Sequence, residues 1–205
     1  ESIGPASNQI TLNEFKTREL FQTNSAGIIL RNNTGYKVEE NTLTQKDTNS
    51  VAFTDGRVYG IIVSNSGTAD NQIYKNTFKD LYIGGQSERD NSPRTAPYHG
   101  VPYDTEGGLV WKCNTFVSGS INRYDLAVVN GDIAVSQGQT TGVTFDEVRE
   151  NAANNAFSFN GEAISLMHDI FIDANSGYMK YYHISVPSHT PDSYTTTNPH
   201  QVNPN

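Results

Sequence analysis

Apolar residues in this chain come in short bursts separated by polar turns, and the bursts recur in a fixed order. From Gly60 the chain reads Ile61-Ile62-Val63, a polar turn, a second strand closing on Asn76-Thr77-Phe78, and a third from Leu81 to Ile83. The interval from Ile61 to Ile83, about 22 residues, is the length of one coil of a parallel β-helix. The pattern predicts a solenoid.

The same plan appears elsewhere. Gly27-Ile28-Ile29 matches Gly60-Ile61-Ile62, and Asn41-Thr42-Leu43 matches Asn76-Thr77-Phe78. A third copy ends in Asn114-Thr115-Phe116 and a weaker fourth is Asn154-Asn155-Ala156-Phe157. The asparagines fall 35, 38 and 41 residues apart, so the period drifts through loop insertions.

In a coiled parallel sheet each rung lies about 4.8 Å above the last, so equivalent side chains stack on one another. One inward stack is expected from Ile28, Ile61, Ile83, Leu109 and Ile133, and a second from Leu43, Phe78, Phe116 and Phe157. Asn41, Asn76 and Asn114 stand at the bend before the second stack. There backbone N–H and C=O groups leave the sheet ladder and need partners. An Asn adopts left-handed backbone and bonds through its amide to neighbouring rungs, so these three are expected to form a structural ladder. Cys113 alternates with Trp111 and Leu109, which predicts an inward, structural thiol.

Two stretches have helical signals. Thr11 and Glu14 have capping-box spacing, and Leu12, Phe15 and Leu20 suit one face of a short helix ending near Gln22. An irregular first coil fits the same residues. Thr144 and Glu147 repeat the spacing ahead of Phe145, Val148 and Ala152. Strands are expected in Ala163–Asp173 and from Lys180 to Val186. Between rungs the chain makes excursions at 44–59, 86–106 and 118–123, the longest broken by Pro93, Pro97 and Pro102. From Pro187 the composition turns to Pro, Thr, Ser, Asn and His, as in a polar tail or linker. The organisation read from sequence is a lead-in or cap over 1–23, a parallel β-helix over 24–186 and a polar tail over 187–205.

Composition narrows the partners. Of 205 residues 35% are hydrophobic and 18% charged, so the polar remainder is mostly uncharged turn-forming residues. The net charge of −8 and the lack of a basic patch argue against nucleic acid, whose binding needs clustered Lys and Arg. Uncharged runs are too short for a membrane span of about 20 residues. One cysteine permits no intrachain disulfide. The chain opens on Glu1 without a signal-peptide pattern, as expected of a mature product or a piece of a larger polypeptide or assembly.

The stretches Gly60 to Phe78, Gly108 to Phe116 with its Lys-Cys-Asn, Ile133 to Gly138 and the late Tyr181-Tyr182-His183 resemble the right-handed parallel β-helix repeat surface proteins of gliding Gram-negative bacteria, cargo of the type IX secretion route. The resemblance covers residues 24–185. It implies an all-β, right-handed parallel β-helix of about five to six coils, secreted or held at the cell surface. No catalytic motif comes with it.

Loops carried on a solenoid are where function is expected. The richest cluster lies in and beside the 86–106 insertion: Arg94, Tyr98, His99, Tyr103, Asp104 and Glu106. Tyrosine rings stack on pyranose faces, so Tyr98 and Tyr103, with His99 and Arg94, are the candidate ligand-binding residues. Asp104 and Glu106 share one side of an extended segment and are the candidate catalytic pair of a polysaccharide lyase or glycosidase. Asp47, Asp55, Asp70, Asp80 and Asp90 form no calcium loop, and His183, His189 and His200 lack zinc spacing, so no metal or other cofactor is expected. Three functions are consistent with these residues. They are an adhesin-like module presenting loops to a glycan or surface protein, an enzyme using Asp104 and Glu106, and an architectural spacer.

Overall fold

The computed structural model describes residues 8–20, 23–46, 57–67, 69–92, 108–117, 123–134, 136–138, 153–158, 168–173, 176, 179–181, 194–196 and 202–204. The first coil is β1 (Asn8–Thr11), β2 (Glu14–Arg18) and β3 (Ser25–Arg31), and the second is β4 (Tyr36–Glu39), β5 (Thr42–Lys46) and β6 (Val58–Ser64). The third is β7 (Asn71–Tyr74), β8 (Thr77–Lys79) and β9 (Ile83–Glu88), and the fourth is β10 (Leu109–Lys112), β11 (Thr115–Val117) and β12 (Tyr124–Val129). Shorter strands follow: β13 (Ser136–Gln137), β14 (His168–Ile172), β15 (Met179–Tyr181), β16 (Tyr194–Thr196) and β17 (Val202–Pro204).

Every named strand pair is parallel, and each strand pairs with its counterpart one coil away. The first sheet runs β1-β4-β7-β10, the second β2-β5-β8-β11, and the third β3-β6-β9-β12-β14-β16. The set β13-β15-β17 continues above the first sheet, tied to it by the Ala134 N–H bond to the Leu109 carbonyl. The chain is an all-β, right-handed parallel β-helix, with six rungs in its longest sheet.

The expected aromatic stack is present. Phe15, Leu43, Phe78 and Phe116 are in register along the second sheet. The Phe78 and Phe116 rings stack at 4.9 Å, and Phe116 continues onto Phe157 at 6.0 Å. The aliphatic stack needs correction. Ile28 and Ile61 are paired, but the next inward positions are Gly85, Leu126 and Ile170. Ile83 pairs with Tyr59 and faces outward, while Leu109 belongs to the first sheet, opposite Asn71. The reason lies at Gly85: the indole of fully buried Trp111 occupies the space a side chain there would need. Volume missing from one sheet is supplied by the other.

A second inward column of the third sheet is made of Gly27, Gly60 and Gly84, which lie between paired neighbours. A Cβ on Gly84 would stand 2.6 Å from the Phe116 ring, and one on Gly60 equally close to Phe78. The glycines admit the aromatic stack. In the next two coils the column continues as Asp125 and Asp169, both buried.

The asparagine ladder is longer than expected. The N–H and Nδ2 of Asn13 both donate to Oδ1 of Asn41, and the same pair of bonds runs from Asn41 to Asn76, Asn76 to Asn114 and Asn114 to Asn155, all between 2.9 and 3.1 Å. At the sixth rung the Tyr181 hydroxyl accepts both bonds from Asn155, at 3.2 and 3.0 Å. Each Nδ2 of Asn41, Asn76, Asn114 and Asn155 also reaches a carbonyl of the preceding rung: Ile10, Val38, Ile73 and Trp111. The left-handed residue is the one before each asparagine: Leu12, Glu40, Lys75, Cys113 and Asn154, with φ from 53° to 59°. Left-handed backbone at a non-glycine residue costs about 1–2 kcal/mol. Several buried hydrogen bonds per rung, each contributing about 0.5–1.5 kcal/mol, offset it.

That geometry also corrects two expectations. Residues 8–18 form a regular first coil and no helix, because Asn13 enters the ladder and Phe15 the aromatic stack. Cys113 does not follow Trp111 and Leu109 inward, because its left-handed backbone breaks the alternation; it is half-buried. Burial raises its thiol pKa, with Lys112, Lys75 and the Tyr74 hydroxyl opposing. The polar stretch from Pro187 contributes β16 and β17, which pair with β14 and β15. A ladder made of backbone groups does not require aliphatic side chains. Of the second helix, read from Thr144 to about Ala153, residues 144–152 lie outside the described residues and Ala153 is not helical; the strand expected beyond Tyr181 also lies outside them.

Candidate binding face

The outward face of the third sheet is where chemically distinctive side chains converge. Its first column is Ala26, Tyr59, Ile83, Tyr124 and His168, and the next is Ile29, Ile62, Gln86, Ala127 and Phe171. Tyr59, Ile83 and Ala127 are buried at its base, with Tyr82, Tyr124 and Phe171 half-buried above them. Parallel pairing brings these residues together from four coils. Three rungs separate Tyr59 from His168, about 14 Å along the axis.

The rings touch in two groups. Tyr59 meets Tyr82 edge to face at 6.1 Å, and Tyr124 stacks on Phe171 at 4.6 Å and on His168 at 6.2 Å. Two arginines lie among them. The Arg57 guanidinium sits 4.8 Å from the centre of the Tyr82 ring, and Arg123 sits 5.5 Å from that of Tyr124 while its Nε donates to the Tyr124 hydroxyl at 3.1 Å. Those contacts hold both guanidiniums against aromatic surface.

Electrostatics distinguish this face from the outside of the first sheet. There Tyr74 is flanked by Lys37 and Lys75, but each has a carboxylate: Glu39 at 2.8 Å and Glu40 at 3.8 Å. Neither Arg57 nor Arg123 pairs with a carboxylate among the described residues. The Tyr124 hydroxyl raises the Arg123 pKa, so its charge is held. Burial lowers the pKa of His168, with Arg123 adding to the effect, which keeps the imidazole neutral at pH 7. Burial raises the pKa of Tyr59, opposed by Arg57.

The residues singled out from sequence, Arg94, Tyr98, His99, Tyr103, Asp104 and Glu106, lie outside the described residues. In chain order they fall between β9 and β10, the step from the third sheet to the first. The stretches 47–56, 118–122 and 159–167 fall instead between the second and third sheets, immediately ahead of Arg57, Arg123 and His168. The face was missed in the sequence because its residues are far apart in the chain. The available signal was Arg57-Val-Tyr59 and Arg123-Tyr124, each opening a strand of the third sheet.

Among the described residues, one carboxylate pair is brought together in the interior. Asp125 Oδ2 accepts from the Ser158 N–H at 2.7 Å and Oδ1 from the Ser158 hydroxyl at 2.8 Å, with Asp169 on the next rung. At 1% and 0% exposure, Asp125 and Asp169 are sealed from any polymer substrate. Burial, and then the neighbouring Asp169, drive the Asp125 pKa well above the ordinary aspartate range, against the Ser158 bonds. Among the described residues no group of three His, Cys, Asp or Glu gathers to hold a metal ion, and no helix is long and apolar enough to cross a membrane.

Comparison with known proteins gives no match to a family model, to a curated protein or to a solved structure.

Proposed function

We propose that this β-helix is a secreted, non-enzymatic surface module that binds glycans, with the aromatic strip outside its third sheet as the binding platform. The observation that carries this reading is the run of half-buried rings, Tyr82, Tyr124 and Phe171, presented on a rigid sheet together with Arg57 and Arg123. Aromatic faces with polar hydroxyls receive sugar rings at little conformational cost, because the sheet holds them in place. Arg94, Tyr98, His99 and Tyr103 are proposed as additional contacts. The adhesin-like role and type IX export rest on the resemblance of the repeats. The carboxylates in hand give no support to a lyase or glycosidase, which would depend on Asp104 and Glu106.

Retention on a glycan array tests the reading. Tyr82→Ala and Tyr124→Ala are each expected to lower affinity about tenfold or more, at roughly 1–3 kcal/mol per lost stacking ring. Affinity unchanged by both substitutions would move the site off this face. A blank array would favour a spacer.

A further inference from the structure

Resting on the glycan-binding reading and narrowing it, we infer that the strip selects acidic saccharides, with Arg57 and Arg123 reading the anionic group while Tyr82 and Tyr124 carry the sugar rings.

Three observations combine. First, the chain is acidic, yet the cations on this face lack carboxylate partners among the described residues, whereas Lys37 and Lys75 around Tyr74 have theirs. An exposed Lys–Glu pair satisfies itself. An arginine held by a ring and a hydroxyl keeps donors for an incoming anion. Second, the Arg123 partners among the described residues are neutral hydroxyls, Tyr124 on Nε and Tyr82, so its guanidinium fork keeps its full charge beside no described carboxylate. That fork is matched to the two oxygens of a carboxylate or to a sulfate edge. Third, the two arginines open β-strands two coils apart on one face, Arg57 just ahead of β6 and Arg123 just ahead of β12. Their spacing is therefore set by the rung repeat, about 10 Å for two steps. A polymer carrying an anionic group on successive or alternate sugars would meet both. Glu88 on the same sheet is engaged with the Gln86 amide at 2.6 Å.

The test uses the full 205-residue chain and one polymer in two forms: polygalacturonate and its fully methyl-esterified derivative, which keeps the sugar rings and loses the charge. A sulfated galactan and a neutral galactan form the second pair of arms. The expected result is affinity at least about tenfold higher for an acidic form than for its neutral counterpart, weakening steeply as salt is raised. Preference confined to the uronate arm assigns a carboxylate, and preference confined to the sulfated arm a sulfate. Arg57→Gln and Arg123→Gln are each expected to lower affinity for the acidic form several-fold more than for its neutral counterpart, and an equal loss for both forms overturns the inference. Equal affinity for charged and uncharged forms overturns the inference and leaves glycan binding standing. Absence of binding to all four polymers removes both.

Discussion

Two corners of the coil follow opposite rules. Between the first and second sheets every described turn is made by one left-handed residue and one asparagine, from Leu12-Asn13 to Asn154-Asn155, with no insertion. Between the second and third sheets the connection is short in the first coil, at 19–24, and in the third, at 80–82, and in the second, fourth and fifth it contains the stretches 47–56, 118–122 and 159–167. A corner tied by buried amides cannot take an extra residue without moving an acceptor off its donors. Register held at one corner leaves the other free to vary, and the aromatic strip begins at that free corner.

The ladder is where this comparison is most easily broken. Asn114→Ala removes the acceptor for the Asn76 N–H and Nδ2 and the donor to the Ile73 carbonyl, all buried. We expect a loss of about 3–5 kcal/mol in urea unfolding, whereas Asn13→Ala, at the exposed end, costs under about 1 kcal/mol. Equal losses at both positions would mean that the ladder does not hold the register. Next comes the glycine column: Gly84→Ala forces a methyl against the Phe116 ring, with an expected cost of about 1–3 kcal/mol in the same assay.

Asp125 gives a pH-dependent effect. Its folded-state pKa is raised, so the folded chain binds more protons than the unfolded chain above about pH 4. The stability this contributes is full below that pH and is lost as pH rises through the folded value. Asp125→Asn should therefore flatten the melting-temperature profile above pH 4 and raise the melting temperature at pH 8; an unchanged slope would assign the dependence to other groups. The smallest effect sharpens the contrast between corners. Lengthening 118–122 by about ten Gly and Ser residues should cost under about 1 kcal/mol, while one residue added between Lys75 and Asn76 should cost several times more.

Much of the fold was legible because the ladder and the aromatic stack each repeat one residue type. Asn41, Asn76 and Asn114, and Phe78 with Phe116, mark equivalent places in successive coils. The aliphatic column was harder to read, since Gly85 stands where an isoleucine was expected and Trp111 fills its place from another sheet. Asn13 was hidden inside a capping-box spacing that suits a helix equally well. The binding face had no contiguous motif: Tyr59, Tyr82, Tyr124 and Phe171 become neighbours only after the strands are in register. Cys113 was misplaced because strict alternation fails at a left-handed corner.

The register that builds both the ladder and the strip is tested most directly by cross-linking on the outer face of the third sheet. In a Cys113→Ser background, Ile29→Cys with Ile62→Cys places two thiols on directly paired residues of β3 and β6, within the Cα range of about 4.4–6.8 Å that a disulfide spans. The account predicts that this pair oxidises to a disulfide, seen by peptide mass mapping, while Ile29→Cys with Ile83→Cys stays reduced. A disulfide in the second pair and none in the first would contradict it.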